Sequence, residues 1–142
     1  MTARMRRSEP WAYFEHLLTN AVEAEKGHVA CIDLGTGSLT VAAAADADLF
    51  PIGYFDEDKT GTGTNTVRVQ LFEPIMVHVF TNEGADVAAA NVGSICYLAG
   101  ANSVDMTDTN AIAGRVWQRT ATQVWVQMAV GLGPQGIQGI PG

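Results

Sequence analysis

The chain has 142 residues, 47% of them hydrophobic, which suits one domain with a real core and excludes a disordered polypeptide. Fifteen acidic residues against eight basic ones give a net charge of −7, which excludes nucleic-acid binding driven by the charge of the body. No apolar run has the length of a membrane span or the form of a signal peptide, so neither a membrane nor secretion by such a signal is expected.

Residues 1–27 read as a segment of their own. Arg4, Arg6 and Arg7 crowd its start, either as an arm that touches an acidic surface or as a solvated terminus. Trp11, Phe14, Leu17, Leu18, Ala21 and Val22 recur at helical spacing. Ser8 would cap such a helix, Pro10 would open it and Gly27 would stop it. The alternative is an extended arm that packs Trp11 and Phe14 on a neighbour and enters a strand near Ala21.

Residues 28–130 read as an all-β domain. Val67-Arg68-Val69-Gln70-Leu71 alternates, with Val67, Val69 and Leu71 on one face and Thr66, Arg68 and Gln70 on the other. Val124-Trp125-Val126-Gln127-Met128 is a near copy, 57 positions on. The stretch from Cys31 to Val41 lies over that from Cys96 to Met106 with an offset of 65, and Gly53 lies over Gly114 with an offset of 61. Shrinking offsets place deletions in turns, where length changes are tolerated. The chain therefore reads as two diverged β repeats, about 28–72 and 92–128, that build a small barrel or sandwich. Two unrelated meanders with the same turn chemistry are the alternative.

Between these strands, Gly35-Thr36-Gly37-Ser38 and Gly100-Ala101-Asn102-Ser103 are turns. Residues 56–65 form a polar, glycine-rich loop that is expected to be exposed. Ile75 to Phe80 is apolar on both faces, as a strand buried on two sides would be. Residues 85–91 suit one short helical turn.

From 131 the character changes. Gly133, Gly136, Gly139 and Gly142 stand at every third position, with Pro134 and Pro141 among them. Only glycine fits the crowded axis of a collagen triple helix, and proline presets its backbone. Three triplets are too few to hold alone, so the pattern implies three chains already joined, or a chain that continues past Gly142. A flexible Gly/Pro tail is the plainer alternative.

Catalytic signatures fail one after another. Ile32-Asp33-Leu34-Gly35-Thr36-Gly37-Ser38 looks like the first phosphate loop of the actin-type ATPases, but the length and a second such loop are lacking. At the matching turn Leu98 stands where Asp33 does, so the stretch reads as a hairpin. Leu34 breaks an aspartic-protease loop, and Lys59-Thr60-Gly61 has no companion Ser-x-x-Lys. Pro134 voids the G-x-G-x-x-G letters at 131–136.

His16, His28 and His78 lack partners at metal-ligand spacing, and His78 reads as a hydrogen-bonded core or interface residue. Cys31 and Cys96 read as small buried hydrophobes at matching positions, consistent with a reducing cytoplasm. No catalytic, cofactor-binding or metal-binding residue is assigned. Trp125 points to the polar side of its strand and reads as an interface anchor, which Trp117 joins, or as a ring folded over its own barrel end.

In pattern and order, residues 27–128 resemble the capsid decoration, or cement, proteins of tailed phages. The likeness runs through Lys26-Gly27-His28-Val29-Ala30-Cys31-Ile32-Asp33, Phe50-Pro51-Ile52-Gly53-Tyr54-Phe55 and Val67-Arg68-Val69. It continues through Ala85-Asp86-Val87, Val92-Gly93-Ser94-Ile95-Cys96-Tyr97, Ala113-Gly114-Arg115-Val116 and Val124-Trp125-Val126. The resemblance implies a barrel-like fold, a homotrimer, binding to the major capsid protein on the outer head surface, and no enzymatic role. The Trp11-bearing start and the collagen-like tail depart from it. Two other readings stay open: the base of a head fibre or host-adhesion module with a collagen-like stalk, and an enzyme of a type without a recognised signature, such as a sugar-active barrel.

Overall fold

The computed structural model describes residues 13–73 and 76–128. Arg4, Arg6, Arg7, Trp11 and the tail glycines Gly133, Gly136, Gly139 and Gly142 lie outside the described residues.

The fold is all-β and doubled. In chain order the strands are β1 (Tyr13–Leu17), β2 (Glu23–Ala24), β3 (Val29–Asp33), β4 (Leu39–Val41), β5 (Leu49–Phe55), β6 (Lys59–Thr60) and β7 (Thr66–Leu71). The second half holds β8 (Val77–Asn82), β9 (Ile95–Gly100), β10 (Ser103–Asp105), β11 (Ile112–Arg119) and β12 (Gln123–Met128). The first half forms a sheet in the order β1-β7-β5-β3-β4, and β2 pairs with β6 as a separate ribbon. The second forms a closed barrel in the same order, β8-β12-β11-β9-β10, with β10 returning to β8 in parallel. The first sheet comes close to the same closure through a single parallel bridge from Leu18 to Leu39.

The equivalence holds at single residues. Gly27 and Gly93 share φ = 92°. The Gly27 N–H donates to the Phe55 carbonyl and the Phe55 N–H to the His28 carbonyl. Gly93, Val116 and Ser94 repeat the pair of bonds. Gly53 and Gly114 sit where two backbones nearly touch, because a Cβ on either would fall 2.1 or 2.0 Å from the Gln70 or Gln127 carbonyl oxygen. A strand glycine at a close backbone approach is the expected device.

These pairings correct several sequence expectations. The first repeat starts at Tyr13, not near residue 28, and the second at Val77, not near 92. Residues 13–27 are no helix and no separate segment. The chain is already extended from Tyr13, upstream of Ala21, and β1 pairs with β7 along its whole length. Alternation won over the helical spacing because Leu18 is wholly buried in the first core beside Val67 and Val69. Cys31 and Cys96 are not equivalent. Ala30 pairs with Gly53 as Cys96 pairs with Gly114, so the offset in this strand is 66 and Ala99 stands where Asp33 does. A slip of one residue turns a side chain to the other face of its sheet. Cys31 therefore faces the second half, while Ala30 faces its own core.

The loop at 56–65 is not simply exposed. β6 lies within it, and Gly61 is buried against the Thr19 carbonyl, where no Cβ would fit. Residues 83–91 make two short 3-10 turns, Glu83–Ala85 and Ala89–Asn91. Asp33 caps its own hairpin, where its Oδ1 accepts the Gly35 N–H at 2.8 Å.

One core belongs to the first sheet. The other fills the barrel and reaches across to Val29, Cys31, Ala42, Leu49 and Phe72 of the first half. An aromatic seam joins them, with the His78 ring 4.8 Å from Phe72 and 5.5 Å from Tyr54. His78 is thus a packed seam residue, but its Nε2 has no hydrogen-bond partner among the described residues, contrary to expectation. Burial holds its pKa below the ordinary value, against the pull of Glu73.

Both cysteines are free and fully buried. Burial pushes the Cys96 thiol up to about 12 and the Cys31 thiol further, where the charge of Asp46 adds to it. Thiolate is the reactive form, so neither should react with Ellman's reagent at pH 8 in the native protein. Both should react once the chain is unfolded in guanidinium. Rapid native reaction of one thiol would contradict this packing.

Candidate interaction surface

The outward faces of the two halves differ, although their backbones match. On the first half, β7 presents Thr66, Arg68 and Gln70 to solvent. Arg68 lies opposite Glu15 of β1. Its Nε donates to Asp56 Oδ2 at 2.7 Å, and its guanidinium lies 5.7 Å from the centre of the Tyr13 ring. The Asp56 hydrogen bond, and then its charge, hold the guanidinium pKa above its ordinary value. This is a charged, solvated face.

On the second half the corresponding strands present a different chemistry. Register puts Val79 where Glu15 stands and Trp125 where Arg68 stands, and Trp117 follows Val116 in the chain as Asp56 follows Phe55. Trp125 lies opposite Val79 on one side and Gln118 on the other, and is half-buried. Trp117 occupies a bulge between Val116 and Gln118 and is 59% exposed. Its indole N–H donates to Gln127 Oε1 at 3.1 Å, which fixes the ring on the face. Val79 is 44% exposed.

Ile75 lies outside the described residues; over residues 76–80 the expected two-sided burial fails on one side. Phe80 and Asn82 are buried in the barrel, but Val79 is open. An apolar run on a face that one chain leaves uncovered is the mark of a contact surface. The structure brings Trp117 and Trp125 together on this face. Phe14, also expected as a contact residue, is elsewhere. It lies on β1 of the first sheet, stacked on His16 at 5.4 Å. Val79 was missed in the sequence, because a hydrophobic run gives no sign that one of its faces lacks cover.

Elsewhere the side chains serve structure. His16 Nε2 bonds the Gly37 carbonyl at 2.7 Å, and Lys59 pairs with Glu57 at 3.5 Å. Among the described residues no cluster of His, Cys, Asp and Glu is placed to hold a metal ion, and no helix is long and apolar enough to cross a membrane. No family model, curated protein or solved structure matches the chain.

Proposed function

We propose that the chain is a structural protein of a tailed-phage virion that binds the outer surface of the head as a homotrimer and stabilises the shell. The observation that carries the reading is the outward face of Trp117, Trp125 and Val79 on a doubled β unit, upstream of glycines at every third position. Joining capsomers requires oligomeric symmetry and adhesive surface rather than a pocket. The pattern likeness to decoration proteins supports the same reading. It assigns no catalysis and no cofactor, and it makes the major capsid protein the partner. The protein would be made in the host cytoplasm, where buried free thiols are at home. The collagen-like triplets keep a second reading open, in which the body is the base of a head fibre or adhesion module.

Arg4, Arg6, Arg7 and Trp11 make the N-terminal arm the candidate for shell contact. Heads assembled without the protein should retain the full chain through sedimentation. A chain lacking residues 1–12 keeps the whole of Tyr13–Leu17 and should stay in the supernatant while still folding, as a cooperative melt shows. Equal retention of the shortened chain would remove the arm from the contact. Failure of the full chain to bind would end the decoration reading.

A further inference from the structure

We infer that the outer face of β8, β12 and β11 docks on a second copy of this chain, so that three such faces meet around a common axis. The inference rests on the trimer reading above and names the surface that makes it.

Three observations converge. First, the two halves share their strand order and most of their register, yet Glu15 and Arg68 of one become Val79 and Trp125 in the other, and Trp117 stands in a bulge after Val116 where Asp56 follows Phe55. The backbone at these positions can carry a solvated charged face. Apolar residues there give one half a contact face that the other lacks.

Second, chain length limits where that face can lie. β12 ends at Met128, and the first glycine of the triplets is Gly133, five residues on. Five extended residues span at most about 18 Å. A triple helix brings three chains to one axis. The ends of three β12 strands must then lie within about 18 Å of that axis. Trp125 is three residues back along the same strand, about 10 Å further at most. That puts the face flanking β12 within reach of the axis, where it can meet its copies.

Third, the charges fit. The chain carries −7 overall, so most of its surface repels a second copy. β8, β11 and β12 contain no Asp or Glu. Their two arginines are turned to backbone oxygens, Arg115 to the Gly93 carbonyl and Arg119 to that of Val87, each at 2.7 Å. These three strands bring no carboxylate of their own to the face that would meet its copies, whereas the equivalent face of the first half carries Glu15.

The test transplants the first half's residues onto the second. The full chain and the double variant Val79→Glu, Trp125→Arg are compared by light scattering after gel filtration and by head cosedimentation. The full chain should have three times the 15.1 kDa subunit mass and the variant 15.1 kDa, with unchanged far-UV dichroism. If the double variant misfolds, Trp117→Asp alone is read instead, and it should raise the trimer dissociation constant at least tenfold. Arg68→Gln, on the charged face, should leave the trimer intact. A variant that folds and stays trimeric overturns the assigned face while the trimer stands. A trimeric variant that no longer binds heads makes the face a shell contact and overturns the inference. A monomeric full chain overturns it together with the trimer, whereas heads that fail to bind a trimeric full chain end only the decoration reading.

Discussion

Alanine at Gly114 should destabilise the protein by about 3 kcal/mol, with valine costing still more. The added Cβ would lie 2.0 Å from the Gln127 carbonyl oxygen, 2.8 Å from its carbon and 2.9 Å from the Met128 Cα. All three obstacles are backbone, so no rotamer change relieves them. β11 and β12 must separate, and the register from Gly114↔Met128 to Val116↔Val126 goes with them. The residues thereby loosened, Val116, Val126 and Met128, belong to the core the barrel shares with the first half. Gly53→Ala should cost a similar amount, because its Cβ meets Gln70 and Leu71 in the same way. Gly27→Ala is the control. Space there is open, and only the positive φ opposes a side chain, which costs about 1–2 kcal/mol. Urea unfolding of the three variants measures this order. A Gly114→Ala protein as stable as Gly27→Ala would mean that the two strands do not approach as described.

Leucine at Asn82 should be nearly as damaging, at about 3 kcal/mol, although leucine is the residue the other half uses. Asn82 aligns with Leu18 through the shared bonding of Leu18 N–H to the Asn65 carbonyl and Asn82 N–H to the Thr122 carbonyl. Leu18 is fully buried among apolar side chains. Asn82, 4% exposed, instead brackets the chain that closes the barrel end. Its Oδ1 accepts the Val87 N–H at 3.0 Å, and its Nδ2 donates to the Val87 carbonyl at 3.0 Å and the Thr120 carbonyl at 2.9 Å. Leucine removes all three bonds. The Val87 carbonyl keeps Arg119, but the Val87 N–H and the Thr120 carbonyl lose the side-chain partner that Asn82 supplies. A buried backbone group left unmade costs about 1–3 kcal/mol. Val87, fully buried, should also loosen as the plug of the barrel. Amide exchange at Val87 should speed up more than at Val69 of the first half, and uniform acceleration would argue against a local bracket.

The doubled architecture was legible in the sequence because its signals were local and redundant. Alternation in Val67–Leu71 and Val124–Met128 gives the right faces, and Gly53 lies over Gly114 because the same close approach recurs. The register of β3 and β9 was not legible. Coincident cysteines suggest 65, whereas hydrogen bonding gives 66, and only pairing with a third strand distinguishes them. β1 was hidden because Phe14, Leu17 and Leu18 satisfy a helical spacing while Phe14, His16 and Leu18 satisfy alternation. Tertiary burial of Leu18 decides between them. Of the proposed contact face, Trp125 was visible as an aromatic among polar neighbours. Val79 was not, since exposure is a property of what fails to cover a strand.

Joining two like β halves, one an open sheet and one a closed barrel, in one polypeptide has an evolutionary consequence. Two separate copies of one gene product would have to share every mutation, so a sticky surface acquired by one would be acquired by both. Tandem linkage lifts that restriction: the ratio of the two lobes is fixed at one to one, and each lobe diverges on its own account. One lobe can stay hydrophilic and keep the particle dispersed while its sibling specialises in adhesion.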